Sequence, residues 1–171
     1  MSIFCNLIFD ANVLTYLYEL GLLETCVKAV EHPFTLDLIR DVELKRMPWA
    51  DVVRREVGVL SLDEKMMEDA VSFMSECTGL SFYDAGLIVL GKCFGFPVFT
   101  EDKKMIRELL RLGLKHVSLL EVVEALVSAK CISCGVGVDS VDAIASKLLP
   151  GRYTKDCERL RKSFVTIHPL F

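Results

Sequence analysis

The stretch from Ser2 to Phe9 constrains the fold more than any other part of the sequence, because it is almost wholly apolar and stops at an acid, Asp10. A strand that is apolar on both faces is typical of a parallel sheet covered on both sides. Apolar residues at helical spacing follow over residues 12–19 and 22–30. This strand and the helices after it favour an α/β domain.

The alternation of strand and helix patterns continues to about residue 130. We therefore predict one domain over residues 1–130, in which a central, mainly parallel sheet of four or five strands is flanked by helices. After the first strand and its helices, the pattern predicts a weak strand or turn at 34–35, strands at 57–60, 97–100 and 116–119, and helices at 36–47, 63–77, 81–94, 102–112 and 120–129.

Residues 131–171 differ in texture and form a predicted helical appendage. A Gly-x-Gly run at 135–137 interrupts the pattern, and helical spacing returns at 141–149 and 153–164. The appendage has six Lys and Arg against four Asp and Glu, a charge of +2, whereas the first 130 residues carry −6. The whole chain, at −4, has no basic field to attract nucleic acid, so any such contact must be local.

The composition excludes disorder, since 52% hydrophobic residues among 171 provide ample material for a core. The longest stretches without Asp, Glu, Lys or Arg are residues 1–9 and 163–171, far short of the roughly 20 residues of a spanning helix. No basic leader precedes the first apolar stretch. We therefore expect no signal peptide, no membrane contact and a cytoplasmic location.

The seven cysteines are scattered, and several lie in apolar runs where a reduced cysteine behaves as a small hydrophobic residue. We expect no disulfide framework. Cys131 and Cys134 have the spacing of half a zinc site or of a redox pair, but no second pair of Cys or His residues accompanies them. A structural or incidental role is therefore expected for this pair.

Two acids follow predicted strands and begin predicted helices. Asp10 follows the first strand, and Asp102 follows the strand at 97–100. Open α/β folds place their ligands at the carboxyl ends of parallel strands, so both acids are candidate site residues. Asp is also a favoured helix N-cap residue, and this structural role is the alternative for either acid alone.

Two further acids lie within predicted helices. On a helix over residues 36–47, at about 100° per residue, Glu43 falls on the apolar face. A carboxylate that faces a core is costly unless it is paired or binds a cation, so Glu43 is a candidate, with Asp41 as the alternative second acid. Asp84 is the other candidate, and a capping box with Ser81 is its alternative role.

Carboxylates that converge on one site repel one another and raise some of their pKa values, unless a divalent cation offsets their charge. Oxygen ligands without clustered His or Cys favour Mg²⁺ or Mn²⁺ over zinc. Such a site can polarise a phosphodiester and activate water. A hydrolase of phosphate esters is therefore predicted from Asp10, Glu43, Asp84 and Asp102.

The order of these motifs resembles that of the PIN domain, the family of metal-dependent ribonucleases that includes VapC-type toxins and rRNA-processing nucleases. The resemblance spans about residues 3–125 and depends on the order and spacing of the motifs, since no single motif is specific. The motifs are Leu7-Ile8-Phe9-Asp10-Ala11-Asn12, Asp37-Leu38-Ile39-Arg40-Asp41-Val42-Glu43-Leu44, Ser81-x-x-Asp84-Ala85 and Thr100-Glu101-Asp102-Lys103-Lys104.

The resemblance implies a three-layer α/β/α fold and an endoribonuclease that uses Mg²⁺ or Mn²⁺ and leaves a 5′-phosphate and a 3′-hydroxyl. RNA is the implied substrate, and an antitoxin, a processing-complex protein or a second copy of the chain are candidate partners. By the same resemblance, the catalytic and metal-binding residues are Asp10, Glu43, Asp84 and Asp102, and the residues that orient the site from its edge are Asn12, Ser81 and Thr100.

An acidic cleft repels phosphate until metal is bound, so basic residues near its rim are expected to contact the RNA. Candidates lie beside the fourth acid and in the appendage. A solvated helix face is the alternative interpretation of the appendage residues. The candidates are Lys103, Lys104, Arg152, Lys155, Arg159, Arg161 and Lys162.

Three other functions compete with the ribonuclease interpretation. A non-catalytic PIN-like module would bind RNA or protein, although the presence of all four acids counts against it. A haloacid-dehalogenase-like phosphatase would use Asp10 as its nucleophile and usually has a second Asp where this chain has Asn12. A receiver-like phospho-acceptor domain would need a Lys-Pro turn, which the sequence lacks.

Overall fold

The computed structural model describes residues 2–167, and its centre is a single five-stranded sheet. Every strand pairing in this sheet is parallel. The prediction of a mainly parallel sheet of four or five strands is therefore confirmed. In chain order the strands are β1 (Phe4–Phe9), β2 (Val30–Leu36), β3 (Gly58–Leu60), β4 (Val98–Phe99) and β5 (His116–Val117).

The order of strands in the sheet is β3-β2-β1-β4-β5, so the chain moves outward from β1 and then crosses back to the other side of β1. Open α/β sheets bind their ligands at such a reversal, in the crevice at the carboxyl ends of the two strands concerned. Those strands are β1 and β4, in which Phe9 pairs with Phe99. The residues that follow Phe9 and Phe99 therefore lie where the topology favours a ligand.

The α-helices are, in chain order, α1 (Ala11–Glu19), α2 (Leu23–Ala29), α3 (Ala50–Glu56), α4 (Glu64–Glu76), α5 (Phe82–Phe94), α6 (Lys103–Arg111), α7 (Leu119–Ser128), α8 (Cys134–Ala143) and α9 (Thr154–Ile167). α2 contacts α3 and α7, whereas α5 contacts α4 and α6. The connections from β1 to β3 and those from β3 to β5 run in opposite directions along the sheet. Because such connections are right-handed, the group of α2, α3 and α7 and the group of α4, α5 and α6 lie on opposite faces of the sheet. Within residues 2–167, no helix has both the length and the apolar character needed to cross a membrane.

The segment after β2 differs from the predicted helix over residues 36–47. β2 runs to Leu36, where the sequence predicts only a weak strand or turn at 34–35. Ile39–Glu43 then forms a π-helical turn that ends at Leu44. Because β2 pairs with β1 and β3, hydrogen bonding in the sheet keeps the chain extended as far as Leu36 and overrides the local helical pattern there.

The C-terminal segment, defined here as residues 131–167, packs on α7 through α8 and α9. Its buried side chains belong to the same hydrophobic cluster as β1 and β4, so one core extends through both parts of the chain. Residues 168–171 of the predicted appendage lie outside the described residues. The buried hydrophobic side chains of the segment are Val141, Ile144, Cys157, Leu160 and Phe164.

α8 begins earlier than the spacing at 141–149 predicts. Ser133 caps its first turn by accepting a hydrogen bond from the amide of Val136 at 3.3 Å. Gly137 allows α8 to approach α7 closely, because a Cβ at this position would lie 2.5 Å from Cγ2 of Val127. The glycines that suggest a loop in the sequence are therefore part of a packed helix. Cys131, before this helix, is exposed.

Candidate active site

Asp10 lies directly after β1 and is 4% exposed. Its Oδ2 accepts a hydrogen bond of 2.8 Å from the hydroxyl of Thr100, which follows β4. Burial raises the pKa of Asp10 to about 6; the bond from Thr100 lowers the pKa, whereas the negative charges of Asp84 and Glu43 raise it further. The predicted first acid is therefore buried at the reversal of the sheet order, within the field of two other predicted acids.

Asp84 lies in the first turn of α5 and is half-buried. Its Oδ2 accepts a hydrogen bond of 2.8 Å from the amide of Ser81, and the hydroxyl of Ser81 accepts one of 3.1 Å from the amide of Asp84. The capping box is thus formed. The charge of Asp84 nevertheless raises the pKa values of both Asp10 and Glu43, so its role in the capping box does not remove Asp84 from the site.

Glu43 lies at the end of the π-helical turn and is exposed, so its predicted place on an apolar helix face is wrong. The prediction assumed a regular α-helix to residue 47, whereas the π-helical turn changes the angle between successive side chains. Partial desolvation and the charge of Asp84 still raise the pKa of Glu43. Glu43 therefore borders the site from its solvent side.

Asp41, the alternative second acid, points to a different partner. Arg40 donates to both of its carboxylate oxygens, at 2.7 and 2.9 Å, and this pairing lowers the pKa of Asp41. The charge of Asp41 is offset by its neighbour on the chain, whereas Glu43 interacts with Asp84. The structure therefore favours Glu43 over Asp41 as the second acid of the group.

Asp102 caps α6, and its Oδ1 accepts hydrogen bonds from the amides of Lys104 and Met105 at 2.9 and 2.8 Å. Its own amide donates to the hydroxyl oxygen of Thr100 at 3.1 Å. The same hydroxyl donates to Asp10, so Thr100 connects the first and fourth predicted acids. Both hydrogen bonds that cap α6 use Oδ1 of Asp102, so the other carboxylate oxygen, Oδ2, takes no part in the cap.

Two of the three residues predicted to orient the site, Asn12 and Ser81, are exposed and lie at the start of helices. Asn12 is in the first turn of α1, two residues after Asp10, and Ser81 caps α5. Of the three residues expected to orient the site, Thr100 is the one that bonds to the carboxylate of Asp10. Ser81 instead acts through the backbone and side chain of Asp84.

The donor set suits a hard cation, because Asp10, Glu43, Asp84 and Asp102 offer only carboxylate oxygens. The raised pKa of Asp10 also shows that its negative charge is poorly offset by the protein alone. Among residues 2–167, no group of three or more His, Cys, Asp or Glu side chains is arranged closely enough to hold a metal ion. The chemistry of these four residues, and not their spacing, therefore favours Mg²⁺ or Mn²⁺.

Sequence reasoning missed the role of Glu101, which lies between Thr100 and Asp102. Its side chain is 1% exposed. Oε1 accepts from the amide of Leu119 at 2.6 Å, and Oε2 accepts from the hydroxyl of Tyr153 at 2.8 Å and lies 3.3 Å from Nη2 of Arg152. The only signal in the sequence is that Glu101 directly follows a buried strand. Exposed acids often occupy the same position, so this signal does not identify a buried carboxylate.

The predicted RNA-contacting residues have different surroundings. Arg152 is 16% exposed and bonded to Glu101. Arg159 pairs with Glu124 at 3.2 Å, and Arg161 pairs with Asp142. The side-chain amine of Lys104 donates to the carbonyl of Gly79 at 3.2 Å. The exposed members of the predicted set are Lys103, Lys104, Lys155, Arg159 and Lys162.

Comparison with known proteins leaves the family of the chain as a proposal. No model of a known protein family matches the sequence, and no curated protein matches it either. The resemblance to the PIN domain therefore depends on the four acids, their order along the chain and their place on the sheet.

Proposed function

We propose that this protein is a PIN-like endoribonuclease that depends on Mg²⁺ or Mn²⁺. The observation that carries the proposal is the position of Asp10, which is buried at the reversal of the sheet order and lies within the field of Asp84 and Glu43. Like charges around a buried carboxylate are unfavourable, and a bound divalent cation is the ordinary way to offset them.

In this proposal Asp10, Asp84, Glu43 and Asp102 are the residues that would hold the cation, and they would have to move closer together to share one ion. When bound, the cation supplies a Lewis acid that polarises a phosphodiester and lowers the pKa of water. Thr100 sets the orientation of the Asp10 carboxylate through its hydroxyl. The capping box keeps Asp84 at the start of α5, and the cap bonds keep Asp102 at the start of α6.

RNA is the proposed substrate because of the family resemblance and the basic residues beside the acids. Lys103 and Lys104 follow Asp102 directly, and both are exposed. Further exposed cations on α9 provide contacts at a greater distance along the chain. We expect hydrolysis to leave a 5′-phosphate and a 3′-hydroxyl.

The test is the cleavage of structured RNAs in Mn²⁺ and in EDTA, with wild-type protein and the Asp10→Asn variant. We expect cleavage only with the metal, and a loss of more than about 100-fold in the variant, since even the partners of metal ligands contribute 10- to 100-fold. Asp51→Asn is the matched control, because Asp51 is 91% exposed and bonds only to Arg54 among the described residues.

Intact RNA under all conditions would contradict the proposal. If the same RNA is bound but not cleaved, the protein is a non-catalytic binding module. Equal cleavage by wild-type and Asp10→Asn protein would show that the activity belongs to another site or to a contaminant.

A further inference from the structure

Residues 100–102 form a short stretch in which successive side chains face different parts of the protein. Thr100 bonds to Asp10, Glu101 turns toward the C-terminal segment, and Asp102 caps α6. In extended backbone, neighbouring side chains point in opposite directions. An anchor on Glu101 therefore determines how Thr100 and Asp102 are presented to the site.

The C-terminal segment supplies that anchor from about 50 residues away in the chain. Arg152 donates from Nη1 to the main-chain carbonyl of Glu101 and lies 3.3 Å from the side-chain Oε2 through Nη2. Tyr153 donates to the same Oε2 at 2.8 Å. One guanidinium thus contacts both the backbone and the side chain of Glu101, which the planar fork of Arg permits and the point charge of Lys does not.

The backbone before Glu101 is held as well. Nε2 of His116 lies 2.9 Å from the carbonyl oxygen of Thr100, and the amide of Leu119 bonds to Oε1 of Glu101. The Glu101 carboxylate is buried, hydrogen-bonded on both oxygens and paired with the guanidinium of Arg152, so its charge is already offset within the protein. Glu101 is therefore an anchor for its neighbours, in contrast to the acids on either side of the crevice.

Tyr16 of α1 lies within the electrostatic influence of both this anchor and Asp10. Burial raises the pKa of Tyr16; the charges of Glu101 and Asp10 raise it as well, whereas that of Arg152 lowers it. One phenol therefore interacts with the first acid of the site and with both ends of the Arg152–Glu101 pair. The C-terminal segment thus reaches the surroundings of Asp10.

We propose that Arg152 and Tyr153 are positioning residues for the candidate active site and hold Thr100 and Asp102 in place through Glu101. The inference rests on the proposed function, because positioning has a purpose only if the site acts. It assigns the C-terminal segment to the construction of the active site, and it gives Arg152 a role other than contact with RNA.

The test uses Tyr153→Phe and Arg152→Gln, with Lys147→Gln as the matched control. Tyr153→Phe removes one hydroxyl and keeps the ring, so it remains informative if Arg152→Gln, which leaves the buried Glu101 charge unpaired, fails to fold. Lys147 lies in the same segment, is 71% exposed and pairs with Glu19 at 3.5 Å. Its substitution removes one positive charge without touching residues 100–102.

Two measurements are made on each protein. Amide hydrogen exchange compares Asp102, whose amide bonds to Thr100, with Ile8, whose amide bonds to the carbonyl of Pro97 inside the sheet. Steady-state cleavage of RNA in Mn²⁺ gives kcat and KM. We expect Tyr153→Phe to speed exchange at Asp102 about tenfold, the order expected from the loss of a hydrogen bond to a charged group, while Ile8 exchanges as in the wild type.

We also expect kcat to fall about tenfold in Tyr153→Phe with KM within about twofold of the wild-type value, and no change in Lys147→Gln. Unchanged exchange at Asp102 in Tyr153→Phe would overturn the inference. Equal acceleration of exchange at Asp102 and Ile8 would also overturn the inference, because it would show that Tyr153 has only a general structural role. A higher KM with unchanged kcat would overturn it as well, because it would show that Tyr153 contacts the RNA. If wild-type protein cleaves no RNA, the proposed function fails, while the exchange rates still decide whether residues 100–102 are held from the C-terminal segment.

Discussion

The hydroxyl of Thr100 donates a 2.8 Å hydrogen bond to Oδ2 of Asp10, and both residues are buried although 90 positions separate them in the chain. The bond crosses from the end of β4 to the end of β1, the two strands between which the order of the sheet reverses. Because it favours the charged form of Asp10, it opposes the effect of burial on the pKa of that residue.

Substitution of Thr100 by Val tests this relationship, since Val has a similar shape but no hydroxyl. The pKa of Asp10 should rise further, so the acidic limb of the pH–rate profile for RNA cleavage should move to higher pH. Cleavage at pH 7 should fall about tenfold, because hydrogen bonds to charged groups contribute on the order of 1.5–3 kcal/mol. The measurement is the initial rate of cleavage between pH 5 and 9.

Thr35→Val is the matched control for Thr100→Val. Thr35 is also fully buried, and its hydroxyl donates to the carbonyl of Phe9 at 2.8 Å instead of to a carboxylate. This variant should lose stability without a shift of the pH–rate profile. An equal shift in both variants would mean that Thr100 affects Asp10 only through packing.

The charge of Asp10 should lower the stability of the metal-free protein as pH rises. The folded-state pKa of about 6 exceeds the ordinary value of 3.8, so the folded protein binds more protons than the unfolded chain between these values, and stability falls as pH rises through this window. Relative to Asp10→Asn, the wild type should lose about 2 kcal/mol of unfolding free energy between pH 4 and pH 7.

Urea unfolding in EDTA at several pH values measures this difference. Addition of Mn²⁺ at 100 times its dissociation constant should return about 2.7 kcal/mol to the wild type and almost nothing to Asp10→Asn. If Asp10→Asn and wild-type protein show the same dependence on pH, Asp10 does not have the raised pKa on which the proposed site depends.

Gly137 should be required for the packing of the C-terminal segment. A Cβ at residue 137 would meet Val127 at 2.5 Å and the ring of Phe164 at 3.0 Å. Gly137→Ala should therefore lower the free energy of unfolding by about 1–3 kcal/mol. Gly135→Ala, in the same helix, has only the Ser133 Oγ within reach at 3.8 Å and should be neutral or stabilising by up to about 1 kcal/mol. Equal effects in urea unfolding would argue against the close approach of α8 to α7.

Exposed lysines on α9 should contribute more to RNA binding than the arginines beside them. Lys155 and Lys162 are exposed and lie seven residues apart on one helix face, whereas Arg159 and Arg161 are paired with acids. The double variant Lys155→Gln, Lys162→Gln should flatten the dependence of log K on log salt by about 1.4, since each RNA phosphate that a lysine neutralises contributes roughly 0.7 to the slope. An unchanged slope would make this face an ordinary solvated surface.

The parts of the site that depend on the ends of strands could be predicted from the sequence. The apolar run before Asp10 and the shorter one before Thr100 indicate buried parallel strands, and such strands bring the residues that follow them to one edge. The structure places these two residues in contact. The alternation of strands and helices therefore carries real information about the site.

The surroundings of Glu43 and Glu101 could not be predicted in this way. A helical wheel assumes regular geometry, and the π-helical turn at Ile39–Glu43 breaks that assumption. The partners of Glu101 come from residues 119, 152 and 153, and contacts so distant in the chain leave no local periodicity. In the sequence, Arg152 is indistinguishable from the exposed cations around it.

The most direct test of the proposed metal site is the location of Mn²⁺ in crystals of the protein, measured by the anomalous scattering of the ion. We expect one anomalous peak at the carboxyl ends of β1 and β4, in contact with carboxylate oxygens of Asp10 and Asp84, and no such peak in Asp10→Asn crystals grown under the same conditions. A fully occupied Mn²⁺ site elsewhere in the wild-type protein, with none between Asp10 and Asp84, would contradict the proposed site.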